Sequence, residues 1–544
     1  MTPFDTSSVT TKAGGPMRES IFLEPRLPEE ANALLSDFRS RFASCAGREE
    51  QLDVIRSVLR SQTLREFSRA IELTVRLFFE LLEDLMLQGW DFAFEDERLI
   101  ATPPSVALES SEYKDPMDVK RRLRETLIAA RNEQLSEPQN RRFIREMERP
   151  RMYRGRMVSV QNLLMSPDQL ASDLERRLSA PPEIQEALLE GFVEPYLQLV
   201  LPGERDRFTN LRLTDIWRYC RYTWSLPLNS QPGRQMLYLI RDASRDFHPI
   251  MGIGALASSV IQITCRDDHI GWTIDSLKRN PCAKRLLALE QEILRAIDDV
   301  YWSDLLDASE VVAPDDAVLG KLKATIEAHP PVHKALRRSN GDDSSDLLDE
   351  TLSPLYRRKR ATELLALLDA KKTFQSARER YPDPEERLRW LLSTDRGVTA
   401  LKIALRSIKK RHVGNSILDI TTCGAIFPYS ELLAGKLVSL LMASPIVVSN
   451  YREMYSNAVS EIASKMKGNR VIRPAELVLL GTTSLYHVGS SQYNRLKCPT
   501  SNGEIRFIEV GKTDGFGSVH ISNRTYRTLQ ELLRVHPNLK PESS

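Results

Sequence analysis

The chain has 544 residues, of which 41% are hydrophobic and 28% charged, with a formal net charge of +2. That length exceeds what one hydrophobic core usually serves, and the composition excludes a disordered chain, so several globular units are expected. The near-balanced charge excludes a global field drawing the protein to nucleic acid or a membrane surface; any basic surface must be local.

The first twenty residues, MTPFDTSSVTTKAGGPMRES, lack the apolar core of a secretory signal and read as a short lead. From about Leu27 to Arg151 the pattern is helical, and residues 1–155 are expected to form a mostly helical N-terminal region. FSRAIELTVRLFFELLEDLMLQGW, Phe67 to Trp90, repeats its apolar residues at helical spacing. DPMDVKRRLRETLIAARNEQL opens on Asp-Pro, a helix start. An arginine cluster follows between Asn140 and Arg156, with Arg141, Arg142 and Arg145 at its head. It is either a solvated helix end or a phosphate-contacting patch.

Residues 156–275 are expected to form the first half of an α/β core. QMLYLIRDA and PIMGIGALA are apolar runs separated by a polar turn, and they read as an antiparallel pair of buried strands. Ahead of them Trp217, Tyr219, Tyr222 and Trp224 interleave with Arg218 and Arg221. That pattern serves either single-stranded nucleic acid, through stacking and guanidinium contacts, or a core in which the rings pack and the arginines snorkel. In RDDHIGWTID, Asp267, Asp268 and His269 are adjacent on what reads as an extended segment; side chains there alternate sides, so a structural turn is expected and no metal site. Residues 276–412 read as a charged helical lobe inserted into the core. Its basic clusters, in LYRRKRATELLALLDAKK and ALRSIKKRH, suit a solvated face or a partner- or phosphate-binding one.

Residues 413–544 are expected to complete the core. ILDITTCGAIF reads as a strand, FPYSE as a turn and LLAGKLVSLLMAS as an apolar helix. AGKL is not a P-loop: no glycine stands five residues before Gly435, and Leu437 occupies the position of the Mg²⁺-contacting Ser/Thr. PAELVLLG then reads as a strand leading into GTTSLYHVGSSQYNRLKCP, a segment dense in hydroxyl groups. Thr482, Thr483, Ser484, Tyr486, Ser490, Ser491, Gln492, Tyr493, Asn494 and Arg495 are candidate pocket residues for a polar ligand at a strand's carboxyl end. They serve equally as partners for the backbone of a buried crossover. Tyr493, Asn494, Cys423 and His520 are the candidate catalytic residues; a small thiol on a strand also suits simple packing. GEIRFIEVGKTDGFGSVHISNRTYRTLQELL gives a further strand, a Gly-rich turn and a last helix.

The six cysteines, Cys45, Cys220, Cys265, Cys282, Cys423 and Cys498, show no C-x-x-C pair and no metal-ligand spacing with His, which suits a reducing cytoplasm and argues against zinc. No apolar run approaches the roughly 20 residues that span a bilayer.

Seven phrases in order carry a specific resemblance: LTDIWRYCRYTWSLP, PGRQMLYLIRDA, HPIMGIGALASS, HIGW, LDITTCGAIFPYSELLAGKL, GTTSLYHVGSSQYNRL and GKTDGFGSVHIS. Together the chain from about Arg141 to Leu533 resembles the DruA family of the Druantia anti-phage defence systems. The resemblance implies a role in bacterial antiviral defence beside other Druantia subunits, including a large helicase-like protein; from the residues themselves, nucleic acid is a candidate ligand and no membrane is expected. The resemblance transfers no catalytic residue and leaves the cofactor open. The order of elements is also similar to that of GNAT acetyltransferases, so the expected fold class is α+β with a mixed-sheet core. In that superfamily a Gly-rich turn at a helix start holds the cofactor pyrophosphate. By position Ser430 to Gly435 would be that turn, of which only Gly435 matches, and Tyr493 would be the tyrosine near the thioester.

Overall fold

The computed structural model of the chain describes residues 21–23, 27–87, 90–95, 98–102, 128, 131–132, 134–224, 233–329, 344–433, 435–482, 493, 496–501, 503–511 and 521–535. The fold is α+β, and it divides into two compact units.

The first unit joins the N-terminal stretch to residues 514–544. Helices α1 (Asn32–Ala43), α2 (Arg48–Arg60), α3 (Thr63–Glu66) and α4 (Arg69–Leu87) surround a core of Phe38, Phe42, Ile55, Leu64 and Phe79. Phe38 and Phe79 meet edge to face with ring centres 4.8 Å apart, a favoured aromatic geometry. The helical expectation for Leu27–Arg151 misses a three-stranded sheet, ordered β1 (Ile21–Leu23), β3 (Arg98–Thr102), β2 (Asp91–Glu95), all antiparallel. Its signal is a period of two: Phe92, Leu99 and Ala101 are buried while Asp91, Ala93, Glu95 and Arg98 are exposed. The helix Asn523–Val535 packs on α4, where Asp84 Oδ2 accepts from the Ser522 N–H at 2.8 Å and the Thr525 hydroxyl at 2.7 Å. Arg524 pairs there with Glu80 and Glu83.

The second unit is built on a five-stranded sheet of order β10-β9-β8-β7-β6. Its strands are β6 (Pro195–Leu199), β7 (Gln235–Asp242), β8 (Ile250–Ser258), β9 (Ile417–Ala425) and β10 (Leu479–Gly481). The first four neighbour one another antiparallel, and β10 runs parallel to β9. β7 and β8 are apolar on both faces because helices cover both. Met236, Tyr238 and Ile240 face one side; Leu239, Ile253 and Ala255 face the other, the alternation a strand imposes. A small two-stranded ladder, β11 (Lys497–Thr500) with β12 (Gly503–Arg506), lies further along the chain.

Helix α5 (Pro138–Glu148) and helix α6 (Leu213–Tyr222) share the core that contains Leu239 and Ile253. The short helix α7 (Thr264–His269) follows β8. RDDH is therefore helical rather than extended. Asp267 is satisfied by Arg266 and by Lys409 at 2.8 Å, and Asp268 by the Thr273 hydroxyl at 2.6 Å. Among the described residues no cluster of His, Cys, Asp and Glu is placed to hold a metal ion. Between β8 and β9 the chain builds a helical lobe around Leu286, Leu289, Ile293, Leu364, Leu368 and Leu401. They are carried by α8 (Ala283–Asp298), α9 (Pro354–Arg380) and α10 (Asp395–Ser416).

After β9 the expected single apolar helix is two. Helix α11 (Tyr429–Leu433) and helix α12 (Lys436–Met442) are separated at Gly435, whose φ of +74° a glycine adopts without the Cβ clash that burdens other residues. Ser430 and Leu433 are thus helical, not part of a turn. Helix α13 (Pro445–Tyr455) follows, and Val438, Met442, Val447 and Tyr451 cover the Tyr238 side of the sheet. Among the described residues no helix is long and apolar enough to cross a membrane.

Candidate functional site

Two places in the second unit bring the sequence-predicted residues together. The first is the arginine cluster. Glu137 is extended and Pro138 takes the first helical position, which starts α5. The helix then turns Phe143, Ile144 and Met147 toward the core and leaves Arg141, Arg142 and Arg145 exposed. The chain continues into a β-hairpin of β4 (Arg151–Tyr153) and β5 (Arg156–Val158). Its turn residues Arg154 and Gly155 have φ of +48° and +77°, the backbone that a tight two-residue hairpin turn requires. Arg149, Arg151, Arg154 and Arg156 are exposed as well. Arg151 donates to the Glu146 carbonyl, tying the hairpin to the end of α5. Val158 is buried at the hairpin base, and a capping box at Ser159 fixes the exit, with Asn162 Oδ1 accepting from the Ser159 N–H at 2.8 Å.

Between Asn140 and Arg156 stand seven arginines against two carboxylates, Glu146 and Glu148. Tyr219 donates to Glu148 at 2.7 Å. Among the described residues none of the seven arginines is in an ion pair. Exposed guanidiniums without carboxylate partners present their donors to whatever anion arrives.

Arg218 and Arg221 part company with this surface. Arg218 lies over the Phe143 ring, 4.2 Å from its centre, and donates to Asn140 Oδ1 at 2.9 Å and to the Tyr222 hydroxyl. Arg221 is buried beside Trp224, and desolvation pushes its guanidinium down to about 10. Trp217 is buried and donates to the Gly254 carbonyl at 3.0 Å. The aromatic–arginine interleaving of α6 therefore joins α5 to the sheet. Its rings and Arg221 are core, which corrects the placing of Arg218 and Arg221 on a nucleic-acid surface: one guanidinium is committed to internal acceptors, the other is inside.

The second place is the β9/β10 side of the sheet. Cys423 Sγ lies 3.3 Å from Ser439 Oγ of α12. Tyr493 reaches the same thiol and Thr482, and its ring meets that of Phe507 in a tilted contact with centres 4.8 Å apart. Burial pushes the Cys423 thiol up to about 11, against weaker hydrogen bonding from Ser439 and Tyr493. It raises the Tyr493 hydroxyl above its ordinary value too, Cys423 adding to the effect. Both groups are protonated near neutrality, so Cys423 is no ready nucleophile, because the thiolate is the reactive form. Earlier on the same strand, Asp419 is held above the usual carboxylate range by burial, opposed by Ser259, Arg266 and the Val260 backbone. It sits beside Gly481, at which a Cβ would collide with its carboxylate. Ser439 and Asp419 escape a reading of the sequence because no local pattern links a mid-helix serine or a strand aspartate to a cysteine's neighbourhood. Thr483, Ser484, Tyr486, Ser490, Ser491, Gln492, Asn494, Arg495 and His520 lie outside the described residues.

A family model described as Druantia protein DruA matches residues 162–286 and 402–544. A curated protein named Druantia protein DruA, from Escherichia coli (strain UMEA 4076-1), is 32% identical over 120 residues; the match spans 22% of this chain and 27% of that protein. No solved structure matches the chain.

Proposed function

Since the chain belongs to the DruA family, we propose that it serves a Druantia-type anti-phage defence system by engaging nucleic acid through the arginine surface of α5 and the β4–β5 hairpin. The observation that carries this reading is the run of exposed arginines, Arg141, Arg142, Arg145, Arg149, Arg151, Arg154 and Arg156, standing against few carboxylates on an otherwise charge-balanced chain. Phosphate neutralisation releases counterions, so affinity falls steeply with salt. Seven neutralised phosphates would set a ceiling of about 6 on the slope of log affinity against log salt. In this reading the protein acts in the cytoplasm with other Druantia subunits, a large helicase-like protein among them, and supplies the grip on nucleic acid rather than the chemistry. The test is titration of labelled DNA with the full chain at low and raised salt. Tight binding that weakens steeply is expected; absence of binding at both salt concentrations overturns it.

A second reading, an acyl-transferring or nucleic-acid-processing enzyme with a GNAT-like core, is favoured by Tyr493 meeting Cys423 and Thr482 beside the parallel β9–β10 pair. It requires an activity lost in Tyr493→Phe or Asn494→Ala while the protein stays folded. Intact defence in both variants sinks it.

A further inference from the structure

The β4–β5 hairpin carries more than charge. Met152 and Met157 are directly opposite one another in its register, so both side chains leave the same face of the ribbon. They are 68% and 56% exposed, while Val158 on the other face is buried at the hairpin base. An unbranched pair of thioethers held in water on a ribbon of three-residue strands does nothing for the core. Arg151 and Arg156, next to the pair along the two strands, leave the opposite face of the ribbon, and Arg154 stands at its turn; all three are exposed. The charge beside the pair selects a polyanion, and the pair itself needs an apolar counterpart within that polyanion. Stacked bases behind a phosphate wall provide both.

Resting on the nucleic-acid reading above, we propose that the Met152–Met157 rung is a wedge that enters the minor groove of double-stranded DNA and partly unstacks one base-pair step, the flanking arginines holding the phosphates on either side. Apolar wedges, methionine among them, act in this way where a protein kinks a duplex. The duplex is favoured over a single strand by what α6 does with its rings. Trp217, Tyr219 and Tyr222 are buried, so they offer no platform for splayed bases, and single-strand binding depends on such platforms. Flexible thioethers suit insertion between pairs that remain paired.

The test uses the full chain and a short duplex rich in TA steps, which unstack readily, with 2-aminopurine placed at successive positions. The wild-type protein is expected to raise the fluorescence at one or more positions. Met152→Ser/Met157→Ser is expected to keep its salt-sensitive binding and lose the fluorescence rise. Because both side chains are exposed, the double variant folds as the wild type does; circular dichroism and thermal melting check this. Arg154→Ala serves as the reverse control, weakening binding while the unstacking at saturation remains. Wild-type binding without a fluorescence change at any position overturns the wedge and leaves the arginine surface standing. A rise that persists in the double serine variant overturns it equally. Binding to single strands alone overturns the wedge and leaves the arginine surface standing; failure to bind either duplex or single strands at any salt overturns both.

Discussion

Arg218 holds its guanidinium carbon 4.2 Å above the centre of the Phe143 ring while donating to Asn140, one turn before Phe143 on α5. Asn140 Oδ1 also accepts from the Tyr222 hydroxyl at 2.9 Å. One arginine thus joins α5 to α6, and through α6 the exposed arginines of α5 inherit the rigidity of the sheet.

Arg218→Ala is therefore expected to act on stability. It removes a stacked cation and leaves the buried Asn140 and Tyr222 short of a partner, a loss of about 1–3 kcal/mol. Urea unfolding measures it, and DNA affinity per folded molecule should change less than in any variant of the exposed arginines. A DNA-binding loss with unchanged unfolding would reverse this assignment.

Arg141→Ala/Arg142→Ala/Arg145→Ala should do the opposite. These side chains are exposed, so stability should shift by no more than about 0.5 kcal/mol for each substitution. Duplex affinity should fall, and the salt slope should drop by about 0.9 for each phosphate that is no longer neutralised. Fluorescence anisotropy across a salt series reads both.

The thiols of buried Cys220 and half-buried Cys423 give the protein an alkaline limit. Burial raises Cys423 from 9.0 to about 11 and Cys220 from 9.0 to about 12. A raised folded value means that the folded state binds more protons than the unfolded one above pH 9. Their contribution is complete below that pH and is lost as pH climbs through the folded values. Unfolding free energy should fall between about pH 9 and 12, with a shallower slope in Cys423→Ala. At neutral pH both thiols should resist alkylation in the native protein and react once urea unfolds it.

Within the first unit, Asp84→Ala strips the acceptor from both Ser522 and the buried Thr525 hydroxyl. The expected cost is about 1–3 kcal/mol. Thr525→Val, which removes one donor and keeps the shape, should cost less. Thermal melting of the two variants ranks them; equal melting temperatures to wild type in both would deny the pairing any weight.

Much of the second unit's sheet is legible in the sequence because its strands obey local rules. β7 and β8 are apolar on both faces, and their turn is polar. The β2–β3 pair escapes because its alternation of Phe92 and Phe94 is brief and sits among acidic residues that read equally well as a helix end. The helix break at Gly435 depends on one backbone angle that the surrounding apolar spacing does not reveal. The fate of Arg218 and Arg221 shows where periodicity stops: it puts rings and guanidiniums on a helix, while only packing against α5 and β8 decides which of them meets solvent. The arginine cluster of α5 is visible as composition, but its opposed methionines require the hairpin register.

The pairing of α4 with the helix Asn523–Val535 has a consequence for biosynthesis. Roughly 430 residues separate the two elements, and a ribosome extends a chain by roughly 5–20 residues each second. For on the order of half a minute, Glu80, Glu83 and Asp84 therefore wait on the nascent chain without the hydroxyl and guanidinium that later meet them. The first unit therefore cannot close until the second has been synthesised, and a ribosome that stalls between them leaves α4 without its partner helix.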